Sequence, residues 1–132
     1  MKRRILFTAL MIVLAWQATA AAQTGTQILR HVQTIVIDPG HGGKNTGCMG
    51  YHGVYEKHAT LQIAKRLEAL LKSNTNATIF MTRTDDTFLP LRDRTRFANE
   101  KKADLFLSIH LNASPSQDAR GIETFFLSTN SA

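Results

Sequence analysis

The chain has little of several things, and each shortage removes a class of explanation. One cysteine, Cys48, stands in 132 residues, so no internal disulfide can form and stability must come from an apolar core, a bound metal, or both. No apolar run approaches the roughly 20 residues of a membrane span; the longest, residues 5–16 (ILFTALMIVLAW), is about a dozen. No block of like charge, internal repeat or low-complexity tract interrupts the sequence. Nucleic acid is therefore a poor partner. Familiar catalytic patterns are missing too. His41-Gly42-Gly43-Lys44 is not a phosphate loop, because Asp38 and Asn45 stand where that loop needs glycine and a hydroxyl residue. There is no Gly-x-Ser-x-Gly elbow and no H-E-x-x-H helix.

The N-terminus carries a basic segment (Lys2, Arg3, Arg4), then the apolar run, then small residues at 18–22. That order predicts a secretory signal peptide over residues 1–22, with cleavage after Ala20 or Ala22. The expected destination is the periplasm or cell envelope, without stable membrane association after cleavage. The formal net charge of +6 then falls to about +3, a weak attraction at most for an acidic polymer such as a cell wall.

Residues 23–33 form a short polar connector, and the domain spans 34–132. Thr34-Ile35-Val36-Ile37 is a β-branched strand stopped by Asp38-Pro39-Gly40. Six glycines between positions 40 and 53 make a long loop with unusual backbone angles or close approaches. Apolar residues then recur at helical steps: Ala59 or Thr60, Ile63, Ala64, Leu67, Leu70 and Leu71, ending near Ser73-Asn74. A second strand is expected over 77–82. A second helix begins at Pro90 or Asp93 with Leu91, Thr95, Ala98 and Phe97 inward. A third strand over 104–109 reads as buried on both faces, and a fourth covers 122–127. Alternation of this kind predicts an α/β fold, a three-layer domain with a mostly parallel sheet flanked by helices.

Ligand sites of such sheets lie beyond the carboxyl ends of the strands. His41 follows the first strand, His110 the third, and Glu56 opens the first helix. Two imidazoles and a carboxylate suit zinc with one position left for water. Each also has an ordinary reading, the histidines as turn residues and Glu56 as a carboxylate answering the helix dipole. Residue types and spacing leave both open. Cys48 near His52 and His58 could suggest a thiol nucleophile, though packing beside a glycine turn suffices. Arg83, Arg92, Arg94 and Arg96 read as a solvated face, or as groups meeting carboxylates of a peptide substrate.

Three blocks, IVIDPGHGG at 35–43, Gly50, Gly53 and Glu56-Lys57, and SIHLNA at 108–113, resemble the signature of the zinc-dependent N-acetylmuramoyl-L-alanine amidases of the amidase-3 type. Thr82-Arg83 with Asp86, Leu91, Arg94 and Ala98-Asn99, and Gly121-Ile122-Glu123 also fit. The resemblance implies that His41, Glu56 and His110 bind Zn²⁺. It implies peptidoglycan as substrate, cut at the amide between N-acetylmuramic acid and L-alanine; no activating partner is named by the sequence. Asn112 would support the His110 turn or a ligand. The family's general-base glutamate lies on a later strand, so it is expected beyond Ala132, with the last strand and helix. No catalytic residue is assigned within the chain, Glu123 matching a different position. An incomplete, slow enzyme or an inactive zinc- or peptidoglycan-binding module are the two expectations that follow.

Overall fold

A computed structural model describes residues 31–114 and 118–126. The signal-peptide expectation for residues 1–22 lies outside the described residues. In chain order the elements are β1 (Thr34–Pro39), a 3-10 turn (Tyr51–Gly53), α1 (Glu56–Asn74), β2 (Thr78–Met81), α2 (Leu91–Glu100) and β3 (Leu105–Ile109). Both neighbours of β1 run parallel to it, in the order β2-β1-β3. Ile35 faces Ile79 on one side and Leu105 on the other, and Pro39 pairs with Ile109. All three strands thus deliver their carboxyl ends to the same rim.

Alternation along β1 splits the sheet into two faces. Ile35 and Ile37 point to α1, where they pack with Leu61, Ala64, Ile79 and Met81, and with the half-buried Leu67, Leu71, Leu105, Leu107 and Ile109. Val32 joins this core, and Gln33 N–H donates to Asp104. Residues 60, 61, 64, 67 and 71 of α1 make the inward stripe, whereas Ile63 and Leu70, expected on the apolar face from the same three- and four-residue steps, are exposed. The helix stops where Thr75 folds back, both its N–H and its hydroxyl donating to the Leu71 carbonyl.

The opposite face of β1 presents Val36 and Asp38, and α2 covers it, which makes the third layer. Ala98 and Arg94 are the buried residues of α2, and Arg94 reaches Asp38 directly. Leu91 and Thr95, expected inward from their spacing, are exposed. Ala98 and the half-buried Phe97 face inward as expected, and the inner side is completed by a buried arginine rather than by Leu91 or Thr95. At its end Lys102 takes φ 52° and Ala103 N–H donates to the Ala98 carbonyl five residues back, a left-handed cap that closes the helix. Lys101 Nζ lies over the rings of Phe80 and Phe97, 4.8 and 5.4 Å from their centroids, where the ring faces attract a cation.

Two further expectations are corrected. β3 is not buried on both faces: Phe106 and Ser108 are exposed, since β3 borders the sheet and α2 lies elsewhere. The segment expected as a fourth strand is without regular structure over 122–126, with Ile122, Phe125 and Phe126 at 84% exposure or more. An alternating or apolar run becomes a strand only when a neighbour accepts its backbone hydrogen bonds. Among the described residues no helix is long and apolar enough to cross a membrane.

Candidate metal centre

The rim begins where β1 ends. Gly40 N–H still donates to the Ile109 carbonyl, so the sheet carries His41 and His110 out side by side. There the chain turns sharply: His41 itself has φ 61°, a left-handed value rare for a residue with a Cβ. The strain is held by hydrogen bonds on three successive carbonyls. Arg94 donates to the oxygens of Pro39 (2.8 Å) and His41 (2.7 Å), and Arg83 to those of Pro39 (2.9 Å) and Gly40 (2.6 Å). Thr60, from the first turns of α1, adds a bond to Gly40. Burial works against the Arg83 charge and lowers its pKa, as does the neighbouring Arg94.

Glu56 arrives from the other direction. The loop from 46 to 55 folds back on itself, with Glu56 N–H donating to Cys48 and Lys57 N–H to Thr46, so the first turn of α1 is pinned under the rim. Lys57 fastens it further, donating to the Gly43 carbonyl and to Asp86, whose other oxygen takes the Gly43 N–H. Those bonds, Lys57 first, lower the Asp86 pKa.

Three side chains then converge. His41 Nε2 lies 3.0 Å from Glu56 Oε1, His110 Nδ1 lies 3.1 Å from the same oxygen, and the two nitrogens are 3.2 Å apart. This near-equilateral triangle is close to the ~3.3 Å between donors that a tetrahedral ion with bonds of about 2.0–2.1 Å imposes. The donor chemistry fits as well, since two imidazoles and a carboxylate form a set that borderline divalent ions accept. His41, Glu56 and His110 are thus a group that could hold a metal ion.

Glu56 is prepared as an anion. Burial opposes its charge, but N–H groups of Cys48 (3.0 Å) and Leu111 (2.8 Å), with the two imidazoles, outweigh that and lower its pKa from 4.5 to about 2. Two glycines leave the space the donors occupy. A Cβ on Gly40 would sit 2.5 Å from His110 Cε1, and one on Gly47 2.6 Å from Glu56 Oε2.

The family model described as N-acetylmuramoyl-L-alanine amidase, amidase-3, matches residues 35–132. The chain belongs to that family. It is 44% identical over 98 residues to the amidase AmiC of Escherichia coli O6:H1, covering 74% of this chain and 24% of AmiC. It is 43% identical over 100 residues to AmiA of E. coli K12, 76% of this chain and 34% of AmiA. The chain thus spans about a quarter to a third of these curated relatives. Among solved structures, the amidase of Clostridium difficile 630 matches with a TM-score of 0.62 and 41% identity, over 67% of this chain and 48% of that one. The catalytic domain of CwlV from Bacillus (Paenibacillus) polymyxa matches with 0.63 and 42%, over 66% and 49%.

Among the other residues singled out from the sequence, the outcomes differ. Arg83 and Arg94 are turned inward onto backbone oxygens, which overturns a solvated or substrate-facing role for them, while Arg92 and Arg96 are exposed, Arg96 beside Asp93 and Glu100. Cys48 serves the site through its backbone N–H; His52 packs on Tyr51, and His58 lies by Tyr55 and Asp86. Asn112 donates to Glu123 (3.0 Å). Sequence reasoning passed over Asn45, whose amide oxygen meets His41 Nδ1 at 2.9 Å. Its four-residue spacing from His41 across two glycines was the available signal.

Proposed function

We propose that this chain is the metal-binding part of an exported, zinc-dependent peptidoglycan amidase that hydrolyses the bond between N-acetylmuramic acid and L-alanine. The observation that carries this reading is the triangle of His41 Nε2, His110 Nδ1 and Glu56 Oε1, with sides of 3.0–3.2 Å, in a member of this family.

His41 and His110 would hold Zn²⁺ with neutral imidazoles and Glu56 with one carboxylate oxygen. Bound zinc supplies Lewis acidity, which polarises an amide carbonyl and makes water nucleophilic near neutral pH. The chain's own residues do the preparation. Backbone N–H groups at 48 and 111 keep Glu56 ionised and aimed, so no rearrangement is needed at the moment of reaction. Arg83 and Arg94 fix the turn that carries His41. His110 is half-exposed, which leaves a path for a polymeric substrate from solvent.

Residues 1–22 act as the export signal, and peptidoglycan is the partner. The chain is expected to bind zinc at His41, Glu56 and His110. Its alternative is an inactive zinc- or peptidoglycan-binding module. The test measures zinc content by elemental analysis in the parent and in His41→Ala and His110→Ala, then follows purified cell walls for turbidity loss and new L-alanine amino termini. Stoichiometric zinc in the parent, lost in both variants, supports the metal reading. New amino termini above the buffer rate support an enzyme, and their absence with zinc and wall binding intact supports the binding module. Unchanged zinc in the variants removes the two histidines as ligands.

A further inference from the structure

Asn45 sits at the tip of the turn after His41. Two backbone bonds close that turn, Gly42 N–H to the Asn45 carbonyl (2.9 Å) and Asn45 N–H to the Gly42 carbonyl (3.1 Å). The side chain therefore hangs from a fixed frame. Its Oδ1 lies 2.9 Å from His41 Nδ1 and 3.3 Å from the backbone nitrogen of Gly47.

The second contact decides the chemistry of the first. A backbone N–H can only donate, so the side-chain atom facing Gly47 is the amide oxygen and not the amine. His41 Nδ1 faces that same oxygen, which can only accept, so Nδ1 carries the hydrogen. In a neutral imidazole the other nitrogen is then a bare lone pair. That nitrogen, Nε2, is the one directed at Glu56 and His110. In water the opposite tautomer of a histidine is readily populated, and it would turn an N–H toward the metal position.

We propose that Asn45 is a positioning residue that fixes His41 as its Nδ1–H tautomer and thereby sets the metal affinity of the site. The proposal deepens the zinc reading and rests on it. With no ion between them, Nε2 would face the Glu56 carboxylate at 3.0 Å, a second acceptor for the ring's hydrogen, so the assignment concerns the ring whose Nε2 is given to a cation. Gly47 takes part twice: its N–H orients the amide, and the absence of a Cβ there leaves room for His41 Cδ2, which such an atom would approach to 2.7 Å. Partners of ligating histidines act in this way in metal proteins generally, and their loss typically costs about 10–100-fold in affinity.

Asn45 is exposed and its backbone bonds survive replacement, so variants should fold. The experiment compares the parent with Asn45→Leu, which keeps the bulk and removes the acceptor, and Asn45→Asp, which restores an acceptor. Proton–nitrogen NMR of the zinc-loaded protein reads the His41 Nδ1–H and its protection from exchange with water, and competition with a chromogenic chelator reads zinc affinity. The expected result is a protected Nδ1–H in the parent and Asn45→Asp, a rapidly exchanging one in Asn45→Leu, and zinc binding weakened about 10–100-fold in Asn45→Leu alone. Unchanged protection in Asn45→Leu overturns the assignment. Lost protection with zinc affinity within twofold of the parent overturns the link to the metal. A parent that binds no zinc refutes the proposed function and this proposal with it.

Discussion

Arg94, on α2, donates from Nη2 to the backbone oxygen of His41 at 2.7 Å, while its Nη1 pairs with Asp38 on β1 at 2.8 Å. One guanidinium therefore joins the third layer of the domain to the turn that carries a candidate ligand. Both partners of the ion pair are about 5% exposed or less, and Thr82 and Ser108 complete the Asp38 carboxylate. Arg94→Met should cost about 3–5 kcal/mol, because it leaves a buried carboxylate without its counter-charge. Denaturant unfolding measures this, and a loss below about 1 kcal/mol would contradict the buried pair. Zinc affinity should fall too, through the slackened His41 backbone.

Acid should expose the preparation of Glu56. Its folded-state pKa of about 2 lies below the ordinary 4.5, so it binds fewer protons folded than unfolded at intermediate pH. The resulting stability, roughly 3 kcal/mol, is complete above the unfolded value and disappears as pH falls from about 5 toward 2. Unfolding free energy of the zinc-free chain, followed over that window, should slope more steeply than in Glu56→Gln. Parallel slopes would show that the carboxyl is not depressed.

Gly40→Ala tests the space beside His110. The added methyl would meet three atoms of that ring at 2.5–2.7 Å, and the ring is half-exposed, so it can swing outward rather than break the sheet. The expected outcome is a folded protein with zinc affinity reduced at least tenfold, seen by circular dichroism and chelator competition. Retained affinity would place the His110 ring elsewhere.

Stability should respond unequally to apolar substitutions. Ile37 is fully buried between β1 and α1, and Ile37→Ala should cost about 2–5 kcal/mol. Ile122 is 98% exposed, and Ile122→Ser should stay within about 0.5 kcal/mol of the parent. Thermal unfolding of the two variants checks the contrast.

Much of this arrangement is visible in the sequence. β1 declares itself through Ile35-Val36-Ile37 stopped by Pro39, α1 through its three- and four-residue apolar steps, and the rim position of His41, Glu56 and His110 follows from a parallel sheet. What escaped has a common cause, namely that charge and neighbours override hydropathy. Arg83 and Arg94 look like surface residues, yet three backbone carbonyls at 39–41 give them inward partners. Leu91 and Ile122 look like core, yet among the described residues no facing element covers them. Asn45 carries no periodic signal at all; its role depends on a turn whose closure is set by Gly42.

The placement of β3 has a temporal consequence. It registers against β1 through partners about 70 positions distant, as Asp104 does with Thr34, whereas His41 and Glu56 are already joined by a nearby loop. Closing so long a segment is slow compared with local helix formation. Until it closes, only two of the three candidate donors are in place, and an ion would be held feebly. If the site binds metal as proposed, retained metal would mark the molecules in which β3 has docked, and a pool of newly made chains could be sorted on that basis.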